Sequence, residues 1–276
     1  MSSINSLLKE SPTQDREYFL RYLLSMDRGE LLMRGDEEVP TKTVQKLRQL
    51  ERRRTAGTPM QYILGEAWFY GLKFFVTPAV LIPRPETELT VERALAITRE
   101  HEKCSVLDVG TGSGAIAIAI AKNSSVHVTA IDTSAPALII ARKNARAQKA
   151  RITFSKLDLR RLTKFPAAKH LIITANLPYL SDKRMQKLSP EVLHEPKLAL
   201  YGGPDGLDLY RALFERITKI CRGHRINQTI HALLEIDPEQ KTKLAALSHH
   251  EFAHISINYH RDLHGDIRLA ELTITF

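Results

Sequence analysis

The stretch Ser105-Val106-Leu107-Asp108-Val109-Gly110-Thr111-Gly112-Ser113-Gly114, continued by the apolar run Ala115 to Ala121, decides the fold. Val106, Leu107 and Val109 suit a short strand covered on both faces. Gly110, Gly112 and Gly114 let the main chain turn tightly and leave room for a ligand beside it. The small and branched residues from Ala115 to Ala121 then pack a helix back onto the sheet, with its first N–H groups aimed over the turn. Strand, glycine turn and helix in this order hold a nucleotide-like ligand in a doubly wound α/β sheet. A tight turn with no ligand is the plainer alternative.

The glycines alone leave the ligand open. Gly110, Gly112 and Ala115 also satisfy G-x-G-x-x-G/A, which keeps a nicotinamide or flavin enzyme in play. Two details favour S-adenosyl-L-methionine. Asp108 stands on the strand end just before the first glycine, where a carboxylate helps to hold a cationic amino-acid moiety. The alternation Gly-Thr-Gly-Ser-Gly, with Thr111 and Ser113 between the glycines, resembles motif I of the methyltransferases more than a pyrophosphate loop.

Downstream, Val126 to Asp132 reads as a second strand ending in a carboxylate, and Asp132 is placed to accept both hydroxyls of a ribose. Ser134 and Pro136 start the next helix, Ala137 to Gln148. Ile152 to Lys156 is a third strand, which brings Asp158 and Leu159 to the border of an adenine. Leu171 to Ala175 is a fourth, delivering Asn176-Leu177-Pro178-Tyr179 to the same sheet edge. Ala232 to Ile236 is a fifth, and Phe252 to Tyr259 with Ile267 to Thr275 form a closing hairpin.

Upstream, residues 1–57 read as helical, with Tyr18, Phe19, Tyr22, Leu23 and Met26 at helical spacing. Pro40 opens a segment that closes on Arg52-Arg53-Arg54, a basic end suited to the helix dipole. From Met60 to Val76 aromatic and β-branched residues predict paired strands. Leu81-Ile82-Pro83-Arg84-Pro85-Glu86-Thr87-Glu88 follows, held extended by its prolines, as a wall of the ligand site; Glu86 or Thr87 can cap the helix that runs to His101. The expected organisation is a helical recognition domain over 1–57, a β-hairpin linker over 58–83 and a catalytic domain over 84–276.

Composition narrows the class. A chain of 276 residues with 43% hydrophobic and 26% charged content is an ordinary globular protein. No apolar run approaches a membrane span, and Met1 to Glu10 lacks a signal-peptide pattern, so a cytoplasmic protein without membrane contact is expected. Cys104 and Cys221 form no disulfide framework or metal-ligand spacing, and no metal is expected. Forty Lys and Arg against 31 Asp and Glu leave a charge of +9, which suits a nucleic-acid-rich setting.

Asn176-Leu177-Pro178-Tyr179 carries the chemistry. An amide or exocyclic amine is a poor nucleophile because its lone pair is delocalised. Asn176 Oδ1 and the Leu177 carbonyl can accept both N–H hydrogens and turn that lone pair towards a methyl donor. Pro178 stiffens the turn, and Tyr179 packs against the planar acceptor. Rate then comes from positioning and fixed dipoles.

With these residues in place the chain resembles the HemK/PrmC glutamine N5-methyltransferases that modify peptide-chain release factors. The resemblance covers Gly57 to Gly65, Phe75 to Glu88, motif I, Asp132, Asn176 to Tyr179, Gly206 to Asp208 and Leu234-Glu235-Ile236, in the expected order. It implies a Rossmann-like class I methyltransferase sheet with a small helical N-terminal domain. It implies cofactor contacts from Gly110 to Gly114, Asp132 and Leu159, with Asn176 bordering the cofactor and, together with Leu177, Pro178 and Tyr179, holding the glutamine of a Gly-Gly-Gln motif. The implied partner is a release factor met by a monomeric enzyme, with RNA contact only through the ribosomal setting. The family usually has proline where Leu177 stands. Asn-Leu-Pro-Tyr also occurs in the rRNA adenine N6-dimethyltransferases, which makes RNA adenine methylation the alternative, but those enzymes lack the helical domain and the I-P-R-P-E-T-E segment.

Overall fold

The computed structural model describes residues 2–11, 13–224 and 228–276. Met1 and Pro12 of the expected helical domain, and 225–227 of the expected catalytic domain, lie outside them. The chain divides into two compact units, Met1–Leu64 and Gly65–Phe276.

Among the described residues, the first unit holds a short antiparallel pair, β1 (Ser2–Ser3) with β2 (Glu38–Val39), and the helices α1 (Ile4–Glu10), α2 (Gln14–Leu24), α3 (Arg28–Met33), α4 (Thr41–Thr55) and α5 (Met60–Leu64). Helix starts follow local chemistry. The Thr13 side chain accepts from Arg16 N–H, and Asp27 forms a capping box with Glu30. Phe19, Leu20, Leu31 and Leu47 close the core with no exposure. Arg16 is buried beside them, its guanidinium bonded to Glu51 and to the Leu7 carbonyl. Two expectations change here. The unit extends to Leu64, past the expected boundary at 57, and Met60 to Leu64 is helical where strand was expected. Tyr62 and Ile63 are buried in that turn, and Ile63 packs with the helical core; tertiary packing overrides their β preference.

The second unit opens with a hairpin, β3 (Glu66–Phe69) and β4 (Leu72–Phe75), then α6 (Glu88–Glu100). The sheet follows as β5 (Cys104–Val109), α7 (Ala115–Asn123), β6 (His127–Asp132), α8 (Ala135–Ala147), β7 (Thr153–Lys156) and β8 (His170–Ala175). After the single turn α9 (Asp182–Met185) come α10 (Asp208–His224), β9 (Thr229–Glu235), α11 (Lys241–Glu251), β10 (Ile255–Arg261) and β11 (Ile267–Ile274). The seven strands lie in the order β10-β11-β9-β8-β5-β6-β7, and only β11 runs against its neighbours. This is the class I methyltransferase arrangement.

Alternation along β8 shows why the sheet is covered twice. Leu171 and Ile173 face Tyr210, Phe214 and Leu244, whereas Ile172 faces Val91, Leu95 and Ile118. All are buried, and burying each such apolar side chain contributes about 1.5–3 kcal/mol. Strand order reverses between β5 and β8, so a crevice opens beyond their carboxyl ends.

Candidate active site

That crevice is a cavity of about 430 Å³, a size typical of a small-molecule site. The glycine turn after β5 forms one side. Gly114 has φ +83, and a Cβ there would come within 3.0 Å of Ile118 Cδ1, so α7 starts this close to the turn only with glycine. Asn144 on α8, fully buried, locks the turn to the hairpin: Nδ2 donates to the Ser113 carbonyl at 2.9 Å and to the Phe75 carbonyl at 3.0 Å, and Oδ1 accepts from Phe75 N–H at 2.7 Å.

Gly110, Thr111, Gly112, Ser113, Asp132, Leu159, Asn176, Leu177 and Pro178 all line the cavity. Asp132 ends β6, and its carboxylate accepts from Gly112 N–H and from Ser134 N–H, both at 2.8 Å. Burial pushes its pKa upward, and these backbone donors oppose the shift. Ile131, Leu157 and Ala137 add apolar wall beside it.

Asp108, Gly114 and Tyr179 do not line the cavity. Asp108 lies behind the turn, 1% exposed, with Oδ1 accepting from Thr174 Oγ1 at 2.8 Å. Desolvation pushes the Asp108 carboxyl up to about 6, and the Thr111 and Thr174 hydroxyls oppose that shift. Tyr179, expected to pack on the acceptor, donates its hydroxyl to Glu235 Oε1 at 3.1 Å; burial and Glu235 hold the phenol far above its ordinary pKa. A buried phenol needs such a partner.

The loop bearing Asn176 is gripped from behind. Leu180 N–H donates to the Leu200 carbonyl at 2.9 Å, and Gly202 N–H to the Leu180 carbonyl at 3.0 Å. A Cβ at Gly206, where φ is +77, would collide with the Tyr179 carbonyl. Gln240 Nε2 donates to that same carbonyl at 2.8 Å. On the cavity side, a Cβ at Gly110 would stand 3.0 Å from Leu177 Cδ2, so the glycine turn and the acceptor loop touch.

The segment after the hairpin supplies a wall as expected, with Leu81, Pro83 and Thr87 facing the cavity. Glu195 anchors it, accepting from Ile82 N–H at 3.3 Å and from the Arg84 guanidinium. Thr87 occupies the N-cap position of α6 without capping it. Its hydroxyl donates to Glu235 Oε2 at 2.6 Å and accepts from Asn176 Nδ2 at 3.1 Å. Glu195 and Glu235 were not singled out as site residues from sequence reading, because neither lies in a spacing pattern; only their long-range partners, 111 and 148 residues away, reveal them. The Leu234-Glu235-Ile236 segment carried by the family resemblance was the one available signal.

A second cluster lies at the opposite end of the strands. His101, His170 and His231 bring ring nitrogens within 4.8 Å of one another. Their rings are stacked, His101 on His170 at 4.1 Å between centroids and 9° between planes.

Residues 106–194 match the methyltransferase domain family, and residues 4–65 match the PrmC N-terminal domain family. The catalytic domain of hMettl16, solved with a MAT2A 3′UTR hairpin, superposes with a TM-score of 0.55 over 75% of this chain and 76% of that one, at 13% identity, a likeness of fold. The release factor glutamine methyltransferase of Bacillus cereus is 34% identical over 272 residues, 96% of this chain and 94% of its own length. That of Moorella thermoacetica is 41% identical over 216 residues, 77% of this chain and 76% of its own length. The cofactor is S-adenosyl-L-methionine. With a relative so similar along almost the whole length, and with both halves matched, the chain belongs to the release factor glutamine methyltransferase family.

Proposed function

We propose that this chain methylates the side-chain amide nitrogen of the glutamine in the Gly-Gly-Gln motif of release factors. Residues from the glycine turn to Leu159 hold the cofactor: Asp132 takes the ribose hydroxyls, and Ile131, Leu157 and Leu159 border the adenine. Thr111 borders the amino-acid moiety at the glycine turn, with Asp108 behind it. When bound, S-adenosyl-L-methionine supplies an electrophilic methyl group on a sulfonium.

The observation that carries the reading is the Asn176 carboxamide, whose Nδ2 is occupied by Thr87, leaving Oδ1 for the acceptor. Oδ1 and the Leu177 carbonyl accept the two N–H hydrogens of the glutamine amide and direct its lone pair into the cavity. The acceptor proton leaves to solvent after transfer, so no strong base is required. Positioning and fixed dipoles carry the rate. The unit Met1–Leu64 holds the release factor while its loop enters the site; the glycines beside the glutamine let that loop penetrate.

The test is label transfer from S-adenosyl-L-methionine, with release factor and naked rRNA offered in parallel. Release factor is labelled, the label is lost when its loop glutamine is replaced by asparagine, and rRNA stays unlabelled. Labelling of rRNA adenines with none on release factor overturns the reading.

A further inference from the structure

Glu235 ends β9, one strand beyond the acceptor loop, and is 2% exposed. A carboxylate this deep is costly unless donors surround it. Its two oxygens take the hydroxyls of Tyr179 and Thr87, at 3.1 and 2.6 Å. Thr87 is the informative partner. Its backbone is helical (φ −68, ψ −17), not the extended conformation of a capping threonine, and its hydroxyl makes no capping bond but is turned to Glu235.

The direction of these bonds follows from the chemistry of each group. Both hydroxyls donate to the Glu235 carboxyl, and Thr87 gives its one proton to Oε2. The hydroxyl oxygen then has only lone pairs to offer, and the neighbouring group must be a donor. A carboxamide presents a donor at one end and an acceptor at the other, so Asn176 meets Thr87 with Nδ2, at 3.1 Å. Its oxygen is thereby committed to the cavity. Without the chain from Glu235, the amide can rotate and present N–H to an acceptor that is itself an N–H donor, which abolishes the contact.

We propose that Glu235, acting through the Thr87 hydroxyl, sets which end of the Asn176 carboxamide faces the methyl acceptor. Both are positioning residues for the transfer, an inference that rests on the reading of Asn176 as the acceptor contact. Neither touches the glutamine in this scheme, and neither contributes to docking the release factor.

The experiment uses the full chain, purified release factor and S-adenosyl-L-methionine, comparing Thr87→Val, Thr87→Ser, Asn176→Ala and the double variant Thr87→Val with Asn176→Ala. Thr87→Val lowers kcat about tenfold, the size of one lost hydrogen bond. KM for release factor, the cofactor Kd by calorimetry and the Tm stay near wild type. Thr87→Ser, which keeps the hydroxyl, restores kcat to within about twofold. In the Asn176→Ala background Thr87→Val changes nothing further, because the group it orients is gone. If Thr87→Val lowers the Tm, Glu235→Gln, which adds a donor without changing shape, is put through the same comparison and shows the same non-additivity.

Full additivity of Thr87→Val with Asn176→Ala, or an unchanged kcat in Thr87→Val, overturns the inference and leaves the acceptor reading standing. A normal kcat in Asn176→Ala overturns the acceptor reading, and the inference with it.

Discussion

The two ends of the parallel strands carry buried titratable groups in opposite arrangements. At the carboxyl ends, Asp108, Asp132 and Glu235 are all pushed upward in pKa by burial, and each is met by hydroxyl or backbone donors. At the amino ends, His231 is pushed down to about 4, by burial first and then by His101 and His170. His170 Nδ1 lies 3.3 Å from His231 Nε2. Burial therefore perturbs both ends alike. What separates them is the partner: the carboxylates take hydroxyl or backbone donors, with Asp132 lining the cavity, whereas the histidines face chiefly one another.

The largest expected effect breaks the comparison at the acceptor loop. Asn176→Ala should cut kcat by about 10²–10³, the usual loss of one preorganised polar contact, with cofactor affinity nearly intact by calorimetry. His231→Phe, at the other end, should leave kcat within about twofold. Equal losses would mean that the two ends are not functionally distinct.

A smaller effect sharpens the division within the active end. Asp132→Ala removes hydrogen bonds from a charged acceptor and should weaken S-adenosyl-L-methionine by about 1.5–3 kcal/mol, a ten- to hundredfold rise in Kd by calorimetry. Turnover at saturating cofactor should fall far less than in Asn176→Ala.

The smallest effect is on stability against pH, and the two ends oppose each other in sign. For His231 the folded pKa of about 4 lies below the unfolded value of about 6.5. The unfolded chain binds the extra proton in that window, so this contribution is present above about 6.5 and lost as pH falls towards 4. Asp108 runs the other way. Its folded value of about 6 lies above the unfolded value of about 3.9, so its contribution is present below that value and lost as pH rises through 6. His231→Phe should flatten the acid limb of a denaturant-midpoint curve, by at most about 1 kcal/mol once solvent screening is allowed for. Glu271, which opposes the shift of His231, stays in place. Asp108→Asn should instead raise the neutral limb while weakening cofactor binding. Stabilisation of both variants in the same pH limb would show that the ends are not opposed.

Local sequence determined the nucleus of this protein. Val106 to Ala121 could only be strand, turn and helix, because glycines at that spacing admit the left-handed backbone and small apolar residues must be buried. Asp132 and Asn176 were legible for a related reason: each follows a run rich in apolar and β-branched residues and so emerges at the carboxyl end of a buried strand. The family resemblance added the acceptor and the helical domain. Tertiary structure alone decided the rest. It turned Met60 to Leu64 into a helix by packing Ile63 into the helical core. It placed Asp108 behind the glycine turn and joined the Tyr179 hydroxyl to Glu235. It also drew Thr87 away from its own helix, to a carboxylate 148 residues further along the chain. Spacing along a chain reports which groups share a face of a helix or strand. The direction in which a buried donor or acceptor points is set by whichever partner the completed fold brings within reach.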